Sequence, residues 1–536
     1  MHLCVALWVC GVILAVLLGW QQRKCWRLIW QLNGWRGVVH QPLLWFLLCI
    51  NLHPNSILEK VTYFRVFFQR PMAVLLGTRV LVYIDDPAGM ECVLNAPECQ
   101  DKTFLQDGFF VNRGLLHARG QQWKLRRKQL NPAFSHNIVT SFFDVFNSVG
   151  NQMIEQFATL PQLHGKSVSF TDAEDMLSRA VLEVSCLTIM GTPTNFTQID
   201  DDHIAHSYKR LLEISAVRVV KPWLQSDLLH RLLEPELYAE SKKNCQLLED
   251  FVGGIVKTKH RNWRLRDAVG AAGPGEDTSS GWQRRIFIEQ IFQLAANGEM
   301  TLEEIMHEAQ SMVLVSFETV SNSIMLALLC LATHKGDCQE RLRAEIAAVV
   351  PDTSGHVGLE QLQQLRYLDA FVSESLRLLA TVPMNLRHVS RDFRLAGRDA
   401  IVPQNSIVVL DTFNMQRDER WWGANAKQFD PQRFLDQDQD QQPGETPARG
   451  EPRRQRDRRH SYSFLPFSNG LRSCIGRRYG LFIMKVFLVK LIANFEFQSD
   501  FQLEKLQFVE NISLKFKNVD DIRLAIQPYR VSQASA

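Results

Sequence analysis

Cys474 is the residue whose surroundings in the sequence most clearly suggest chemistry. It lies in the segment FSNGLRSCIG, where Arg472 precedes it by two residues and a glycine stands on each side. The residues that follow are apolar at helical spacing, which predicts a helix that begins near Ile475. The free N–H groups and the dipole at the start of a helix favour a thiolate over a thiol. A thiolate held in this way is suited to be a nucleophile, a zinc ligand or an axial ligand of haem.

The surrounding residues bear differently on these three roles. A zinc site needs further ligands, and none stands near Cys474 at a typical spacing. A catalytic cysteine needs a histidine partner, which the sequence alone neither identifies nor excludes. Haem needs only this one sulfur and arginines for its two propionates. Gly470 and Gly476 would let the backbone approach such a flat group closely.

The cysteine segment resembles the haem-binding signature of the cytochrome P450 family, F-x-x-G-x-R-x-C-x-G. Every fixed position matches, namely Phe467, Gly470, Arg472, Cys474 and Gly476. The resemblance implies that Cys474 is the axial ligand of the iron, and that Phe467 and Arg472 help to bind the haem. It also implies the cytochrome P450 fold, which is mainly α with small β-sheets (α+β).

A second landmark resembles the E-x-x-R triad of the same family. Glu374 and Arg377 occur in ESLR, and Arg433 occurs in FDPQRF, where Gln432 replaces the usual glutamate. The resemblance implies a structural triad that orders the chain beside the cysteine loop. Taken alone, Glu374 and Arg377 would be an ordinary exposed pair worth about a few tenths of a kcal/mol.

Further residues resemble those that hold the haem propionates in the family. Trp123 and Arg127 in WKLRRK match a W-x-x-x-R pattern, and Arg387 in VPMNLRHVS matches another propionate arginine. Taken alone, Trp123 would be an ordinary core residue. The landmarks follow the order of the family along the chain, which favours the family interpretation of each.

The segment EAQSMVLVSFETVSNSIM resembles the long helix over the haem. Thr301 and Glu304 form a capping-box pattern at its start. Glu318 and Thr319 match the acid–threonine pair of the family, and the resemblance implies that they relay protons to dioxygen. The alternative is that Thr319 bonds back to the carbonyl of Val315 and Glu318 reaches solvent.

Three neighbours of this pair depart from the family pattern. Ser316 replaces the usual glycine, Phe317 follows it, and Val320 replaces a hydroxyl residue. Ser316 and Phe317 are expected to add bulk where oxygen and substrate would lie. These departures motivate two rival functions. One is a haem-binding sensor or carrier without monooxygenase activity, and the other is an oxygen-independent haem-thiolate isomerase or dehydratase.

Composition and the N-terminus indicate the compartment. The chain has 536 residues and a net charge of +3, which argues against a general nucleic-acid binder. Its eleven cysteines are scattered, as expected of free thiols in a reducing compartment. The run from Leu3 to Trp20 has no charged residue in 18 positions, long enough for a spanning helix, and basic residues follow it. A cleaved signal peptide fits less well, because the basic cluster is on the wrong flank.

The predicted organisation places the catalytic domain on the cytoplasmic side of the endoplasmic reticulum membrane. Its parts are a single transmembrane signal-anchor over 1–22, a basic linker with an interfacial apolar segment over 23–59, and a haem-thiolate monooxygenase domain over 60–536. Residues 435–460 are low in complexity and rich in arginine towards their end, which predicts a disordered insert.

The resemblance also implies the cofactor, the reaction and the partners. The expected protein inserts one oxygen atom from O2 into a lipophilic substrate, and similarity to the family 4 ω-hydroxylase branch suggests a fatty acid or related lipid. Val315 stands where relatives in that branch carry a haem-linked glutamate, so haem b is expected to be held non-covalently. The expected electron donor is NADPH-cytochrome P450 reductase, with cytochrome b5 as a second candidate. The basic residues expected to dock the reductase are Arg126, Lys128, Arg477, Arg478 and Lys485.

Overall fold

The computed structural model describes residues 23, 37–41, 57–65, 72–76, 79–109, 113–160, 168–193, 203–268, 286–395, 400–439, 460–509 and 511–529. These residues form two compact units. The strand unit comprises the described residues of Met1–Phe104, Pro383–Trp421 and Arg459–Ser473. The helix unit comprises those of Leu105–Val382, Trp422–Arg458 and Cys474–Ala536.

The strand unit is built on a five-stranded sheet. Its strands, in spatial order, are Gly37–Gln41, Met72–Leu76, Arg79–Ile84, Ile407–Asp411 and Met384–His388. The first and third of the four pairings are parallel, and the other two are antiparallel. β-branched and apolar residues dominate the three central strands, as expected of a buried sheet.

A short helix packs against this sheet. Asp86 ends the third strand's run, and its carboxylate accepts a hydrogen bond from the Gly89 N–H at 2.9 Å, which caps the helix Pro87–Asn95. The apolar run Val80–Ile84 before Asp85, Asp86 and Pro87 predicts a strand followed by a break, and both are present. The remaining short elements of the unit are Ile57–Phe64, Pro97–Cys99, Phe393–Arg394, Ile401–Val402, Thr412–Met415, Ser461–Ser463 and Gly470–Arg472.

The helix unit is mainly α-helical, which confirms the predicted mainly α fold with small sheets. Its helices of ten residues or more are Gly120–Leu130, Phe143–Phe157, Phe170–Ser185, His203–Val220, Pro235–Ala268, Phe287–Ala296, Leu302–Thr333, Cys338–Val349, Arg366–Leu378 and Arg477–Asn494. Its shorter helices are His136–Thr140, Asp227–Leu233, Leu359–Gln364 and Gln432–Gln439. Its strands are Val168–Ser169, Phe495–Gln498, Phe508–Val509, Lys515–Phe516 and Arg523–Pro528.

We call Leu302–Thr333 the long helix. The predicted capping box opens it: the Glu304 N–H donates to the Thr301 hydroxyl at 3.2 Å, and the Thr301 N–H donates to the Glu304 carboxylate at 2.8 Å. Among the described residues this helix alone is long and apolar enough to cross a membrane, and 78% of its most apolar window is buried inside the protein. That burial is the behaviour of a core helix.

Several predicted segments lie outside the described residues. These are the whole anchor over 1–22, most of the linker over 23–59, and residues 440–459 of the insert. The first residues of the predicted insert, up to Gln439, belong to the helix Gln432–Gln439. The anchor and the disorder of the insert therefore stay predictions.

Candidate active site

Cys474 stands just before the helix Arg477–Asn494, which we call the cysteine helix. Burial raises the pKa of its thiol, although the Gly476 N–H and the charges of Arg127 and Arg477 act in the opposite direction. The start of the helix favours the thiolate, as the sequence predicted, because the Gly476 N–H lowers the pKa of the thiol. In the free thiol the loss of solvation outweighs this contribution. A bound metal cation would reverse the balance, because a coordinating thiol is deprotonated outright.

The side chain of Cys474 is accessible. Enough protein nevertheless surrounds it for burial to dominate the pKa of its thiol. A Cβ atom added to Gly476 would meet nothing within 4 Å, so this stretch of backbone also borders open room.

The long helix shows the same property at its middle. Between Glu308 and Ala332 every residue is buried except four. The four half-buried residues are Val315, Ser316, Thr319 and Ser323. Val315, Thr319 and Ser323 are spaced by four and therefore share one face. We call these three residues the open stripe, since they border accessible space within an otherwise buried helix.

Arg127 supplies a cation close to the sulfur. It follows Trp123 by one helical turn in the helix Gly120–Leu130, and Trp123 is buried with 5% of its surface exposed. Burial lowers the pKa of Arg127, while the negative charge of the Cys474 thiolate would raise it. The predicted W-x-x-x-R pair therefore consists of a buried indole and a guanidinium that interacts electrostatically with the sulfur of Cys474.

The strand unit places three cations near one another. Arg387 lies in the strand Met384–His388 with 2% of its surface exposed, and its guanidinium donates to the carbonyl of Leu386 at 3.1 Å. Burial lowers the pKa of Arg387 to about 10. Lys102 and Arg472 are half-buried, and burial, reinforced by the charges of Arg387 and Arg472, holds the pKa of Lys102 well below its ordinary value. We call Lys102, Arg387 and Arg472 the cation cluster. Lys102 belongs to no motif, so nothing in the sequence marks it.

Arg472 is the member of this cluster with a carboxylate neighbour. Its Nε donates to the carbonyl of Gln100 at 3.0 Å, and its Nη2 lies 3.6 Å from a carboxylate oxygen of Asp101. Gly470 has a φ of +69°, and a Cβ there would clash with the carbonyl oxygen of Leu94. Glycine is therefore required at this position by the turn itself. Phe467 is half-buried in the same segment.

The donor types of each unit suit haem. In the helix unit Cys474 offers a sulfur and Arg127 a cation, and in the strand unit the cation cluster offers positive charge to carboxylates. Burial lowers the pKa values of Lys102, Arg127 and Arg387, so an anionic ligand would stabilise their charged forms. Among the described residues no group of three histidine, cysteine or acidic side chains could hold a metal ion without such a cofactor.

The predicted structural triad is confirmed. Arg377 donates to Glu374 at 2.6 and 2.8 Å, and Arg433 donates to the same carboxylate at 3.2 Å. The side chains of Glu374 and Arg377 are fully buried. The two arginines also donate to the backbone carbonyls of Trp422, Asn425, Ala426 and Gln428. The triad thereby orders the chain before Arg433, as the resemblance implied.

Both residues of the acid–threonine pair are hydrogen-bonded within the protein. The Thr319 hydroxyl donates to the carbonyl of Val315 at 2.7 Å, as the alternative interpretation expected. The carboxylate of Glu318 does not reach solvent. It accepts from the Ser513 hydroxyl at 2.8 Å and lies 3.2 Å from the Lys515 ammonium. Lys515 also pairs with Glu174, and the two carboxylates hold the pKa of Lys515 above its ordinary value although burial lowers it.

The expected crowding by Phe317 is wrong. Phe317 is fully buried, and its ring packs on that of Tyr208 at 5.4 Å, in the helix His203–Val220. Val320 is also buried, and it touches the place where a Cβ on Gly480 would lie. A helix turns by about 100° per residue, so Phe317 points away from the open stripe although it lies two positions before Thr319.

The comparison with known families decides the identity. The model of the family "Cytochrome P450" matches residues 39–519. The chain belongs to the cytochrome P450 family. This P450 is 84% identical to "Probable cytochrome P450 318a1" of Drosophila melanogaster, over 99% of this chain and 100% of that protein. It is also 30% identical to "Probable cytochrome P450 313b1" of the same organism, over 93% of this chain and 94% of that protein.

Membership of the family settles the enzyme class. The protein is a haem-thiolate monooxygenase, an oxidoreductase of a family that generally uses redox-partner reductases and lipophilic substrates. The suggested likeness to family 4 is weak. "Probable cytochrome P450 4p3" of Drosophila melanogaster is 25% identical over 84% of this chain and 82% of that protein. The two relatives above match at higher identity and carry other family numbers.

Proposed function

We propose that Cys474 is the axial ligand of a non-covalent haem b, and that the enzyme inserts one oxygen atom of O2 into a lipophilic substrate. The bound haem supplies the reductive cleavage of O2. One oxygen atom enters a C–H bond of the substrate and the other leaves as water, which consumes two electrons and two protons. The observation that carries this proposal is the setting of Cys474, an accessible thiol whose pKa the charge of Arg127 lowers.

The propionates are assigned to the residues that match the propionate-binding pattern of the family. Trp123, Arg127, Arg387 and Arg472 would donate to them. Lys102 joins this set because it shares the buried positive field of Arg387 and Arg472. A charge-assisted hydrogen bond to a carboxylate is about twice as strong as a neutral one, so each arginine would contribute to haem affinity.

Glu318 and Thr319 are assigned to proton delivery. The Thr319 hydroxyl gives its hydrogen to the Val315 carbonyl, so its oxygen is free to accept a hydrogen bond at the open stripe. The Oε2 atom of Glu318 is buried and accepts no hydrogen bond from the described residues. Lys515 and Ser513 hold the Oε1 atom of the same carboxylate. Glu318 would exchange protons at Oε2 while Oε1 stays anchored.

The electrons are assigned to NADPH-cytochrome P450 reductase, with cytochrome b5 as a second candidate. Lys128, Arg477 and Arg478 are exposed and suited to meet an acidic partner. Two residues of the expected docking face are otherwise engaged. Arg126 is buried and paired with Glu304, and Lys485 is paired with Asp369. The reductase is a membrane protein in this scheme, which agrees with the predicted anchor in the endoplasmic reticulum.

Oxygen-isotope labelling tests the reaction. The purified P450 would be combined with the reductase, NADPH, 18O2 and a panel of fatty acids and other lipids. We expect NADPH-dependent oxygen uptake, and a product that carries one labelled atom. Cys474→Ala should lack both, and Cys245→Ala, which changes a cysteine in another helix, should keep both. Product without label would favour the isomerase or dehydratase, and a haem protein that consumes no oxygen with NADPH would favour the sensor or carrier.

Acid extraction tests the mode of haem attachment. Val315 has no carboxylate to esterify, and Glu318 is held by Lys515 and Ser513. Glu308 is buried and accepts from the Leu115 N–H at 2.9 Å. Acidified organic solvent should therefore remove unmodified haem from the denatured chain. Haem that stays with the polypeptide would overturn the non-covalent assignment.

A further inference from the structure

Four hydroxyl groups form a buried cluster beside the open stripe. The Ser316 hydroxyl donates to the Ser185 hydroxyl at 2.8 Å. The Tyr479 hydroxyl lies 2.7 Å from that of Thr188. Burial raises the pKa of the Tyr479 hydroxyl, and the Ser185 side chain is near enough to lower it. Ser185, Thr188 and Tyr479 each expose 4% of their surface or less. The side chains of the cluster come from the long helix, the cysteine helix, and the helix Phe170–Ser185 with the turn that follows it.

Every hydroxyl hydrogen of this cluster has an acceptor. Ser185 donates to the carbonyl of Val181 at 2.9 Å, and Thr188 donates to that of Val184 at 2.8 Å. Ser316 shares its hydrogen between Ser185 and the carbonyl of Val313. Tyr479 is left as a donor to Thr188. Because every hydrogen ends on a fixed acceptor, the cluster is suited to hold side chains in place rather than to pass protons on.

The surrounding packing fixes the cluster in turn. The Tyr479 ring contacts the edges of Phe142 and Phe146, with ring centres 6.4 and 5.7 Å away. The next residue of the cysteine helix, Gly480, lies against Val320 of the long helix. Thr188 belongs to a π-helical turn over Cys186–Met190. Such turns insert one extra residue into a helix and often mark functional places.

Ser316 is the member of the cluster whose hydroxyl could point in another direction. It is half-buried and adjoins Val315 and Thr319 of the open stripe. A serine side chain has three staggered rotamers, and the observed one directs its hydroxyl to Ser185. Rotation about the Cα–Cβ bond would change that direction. Ser185, together with the carbonyl of Val313, holds the Ser316 hydroxyl in this direction.

We propose that Ser185 and Tyr479 are positioning residues that hold the Ser316 hydroxyl on the Phe170–Ser185 side of the long helix, away from the oxygen-binding side. The inference rests on the proposed function, because it assigns the open stripe to the face where the gaseous ligand binds. It explains how this enzyme accommodates a serine next to Glu318 and Thr319. The hydroxyl is tied into a neighbouring helix and adds no polar group to the site.

The C–O stretching frequency of the ferrous carbon monoxide complex tests this proposal, because the frequency responds to a hydroxyl near the bound ligand. Wild-type protein should show one band. Ser185→Ala should add a second band, since part of the Ser316 hydroxyls then turn to the ligand. Tyr479→Phe should add the same band more weakly, and it provides a second variant if the fully buried Ser185 site tolerates no change. Ser316→Ala should show one band.

The double variant Ser185→Ala/Ser316→Ala makes the test specific. It should lose the second band, because the hydroxyl that causes it is gone. Thr333→Val is the matched control: Thr333 lies in the same helix and donates to the carbonyl of Leu329 at 2.8 Å, so its loss should leave one band. An unchanged band in both Ser185→Ala and Tyr479→Phe, or a second band that persists in the double variant, would overturn the proposal. Wild-type protein that gives no thiolate-type carbon monoxide spectrum would instead overturn the proposed function.

Discussion

Buried arginines occur in two contrasting arrangements in this molecule. In the helix unit, Arg377 and Arg433 share the carboxylate of Glu374 and donate their other N–H groups to backbone carbonyls. In the strand unit, Arg387 is equally buried, but its hydrogen bond goes to the carbonyl of Leu386, and burial lowers the pKa of its guanidinium to about 10.

The difference distinguishes structural from ligand-binding cations. When folding supplies a buried cation with all of its hydrogen-bond acceptors, no ligand is needed to stabilise it. Removing one partner of such a pair leaves the other charge buried and unpaired. A buried cation without a carboxylate is stabilised only when an anion arrives. Removing it should therefore leave the fold intact and reduce the affinity for the anion.

The largest expected effect is on the triad. Arg377→Met would leave Glu374 buried with only Arg433 as a cation, which costs about 3–5 kcal/mol in the free energy of unfolding. Chemical denaturation of the apoprotein measures this loss directly. Arg113→Met is the matched control, because its pair with Glu303 is exposed, with 66% of each side chain accessible, and such pairs contribute about 0–1 kcal/mol. Equal small losses in both variants would refute the contrast.

The second effect is on haem binding. Arg387→Met removes a poorly neutralised buried charge, so the apoprotein should be at least as stable as wild type. Haem affinity should fall about 10- to 100-fold, since a hydrogen bond to a charged group contributes about 1.5–3 kcal/mol. Titration of haem into the apoprotein, together with its denaturation curve, separates the two quantities. A large loss of apoprotein stability with unchanged haem affinity would place Arg387 with the structural arginines.

The third effect concerns Lys515, which pairs with Glu318 of the candidate site and with Glu174 outside it. Lys515→Met would remove the cation that anchors Glu318 and should lower turnover about tenfold, a cost of about 1.4 kcal/mol in activation free energy. More of the reducing equivalents should then appear as hydrogen peroxide. Lys209→Met, which breaks a neighbouring pair with Asp175, is the control. Turnover equal to wild type in Lys515→Met would remove Lys515 from proton delivery.

The smallest effect tests a cation surrounded by neutral oxygens. The Lys490 ammonium is fully buried and donates to Asn151, Thr353 and Gly355 at 2.7, 2.8 and 3.2 Å. Burial lowers the pKa of Lys490 to about 8, below the value of about 10.4 for an unfolded chain. Between these values the unfolded chain holds more protons, so the free energy of unfolding should rise with pH, by at most about 1.4 kcal/mol per pH unit. Lys490→Met should flatten this part of the stability curve, and an equal rise in both proteins would assign it to other groups.

Local sequence patterns predicted the parts of the molecule that local physics controls. The capping box of Thr301 and Glu304, the strand that ends before Asp86, and the charge complementarity of Glu374 and Arg377 each depend on residues close together in the chain or on a family motif. All three are present. The same reasoning found Cys474, because one sulfur between glycines carries its own signal.

The rest depended on residues distant in sequence. Lys515 reaches Glu318 from a strand 197 residues further along the chain, and Lys102 has no motif of its own. The direction of Phe317 was mispredicted because the prediction considered only that Phe317 is close to Thr319 in the sequence. It did not consider that a helix turns by about 100° per residue, which places the two side chains on different faces. The net rise in the pKa of the Cys474 thiol could not be predicted, because burial depends on the whole packing around it.

Carbon monoxide binding to the reduced protein tests the role of Cys474 most directly. Wild-type protein should show the red-shifted absorbance band that is characteristic of thiolate-ligated haem. Cys330→Ala and Cys338→Ala, which change buried cysteines, should keep the band. Cys474→Ala should lose it. A band that is unchanged in Cys474→Ala would contradict the assignment of this sulfur to the iron.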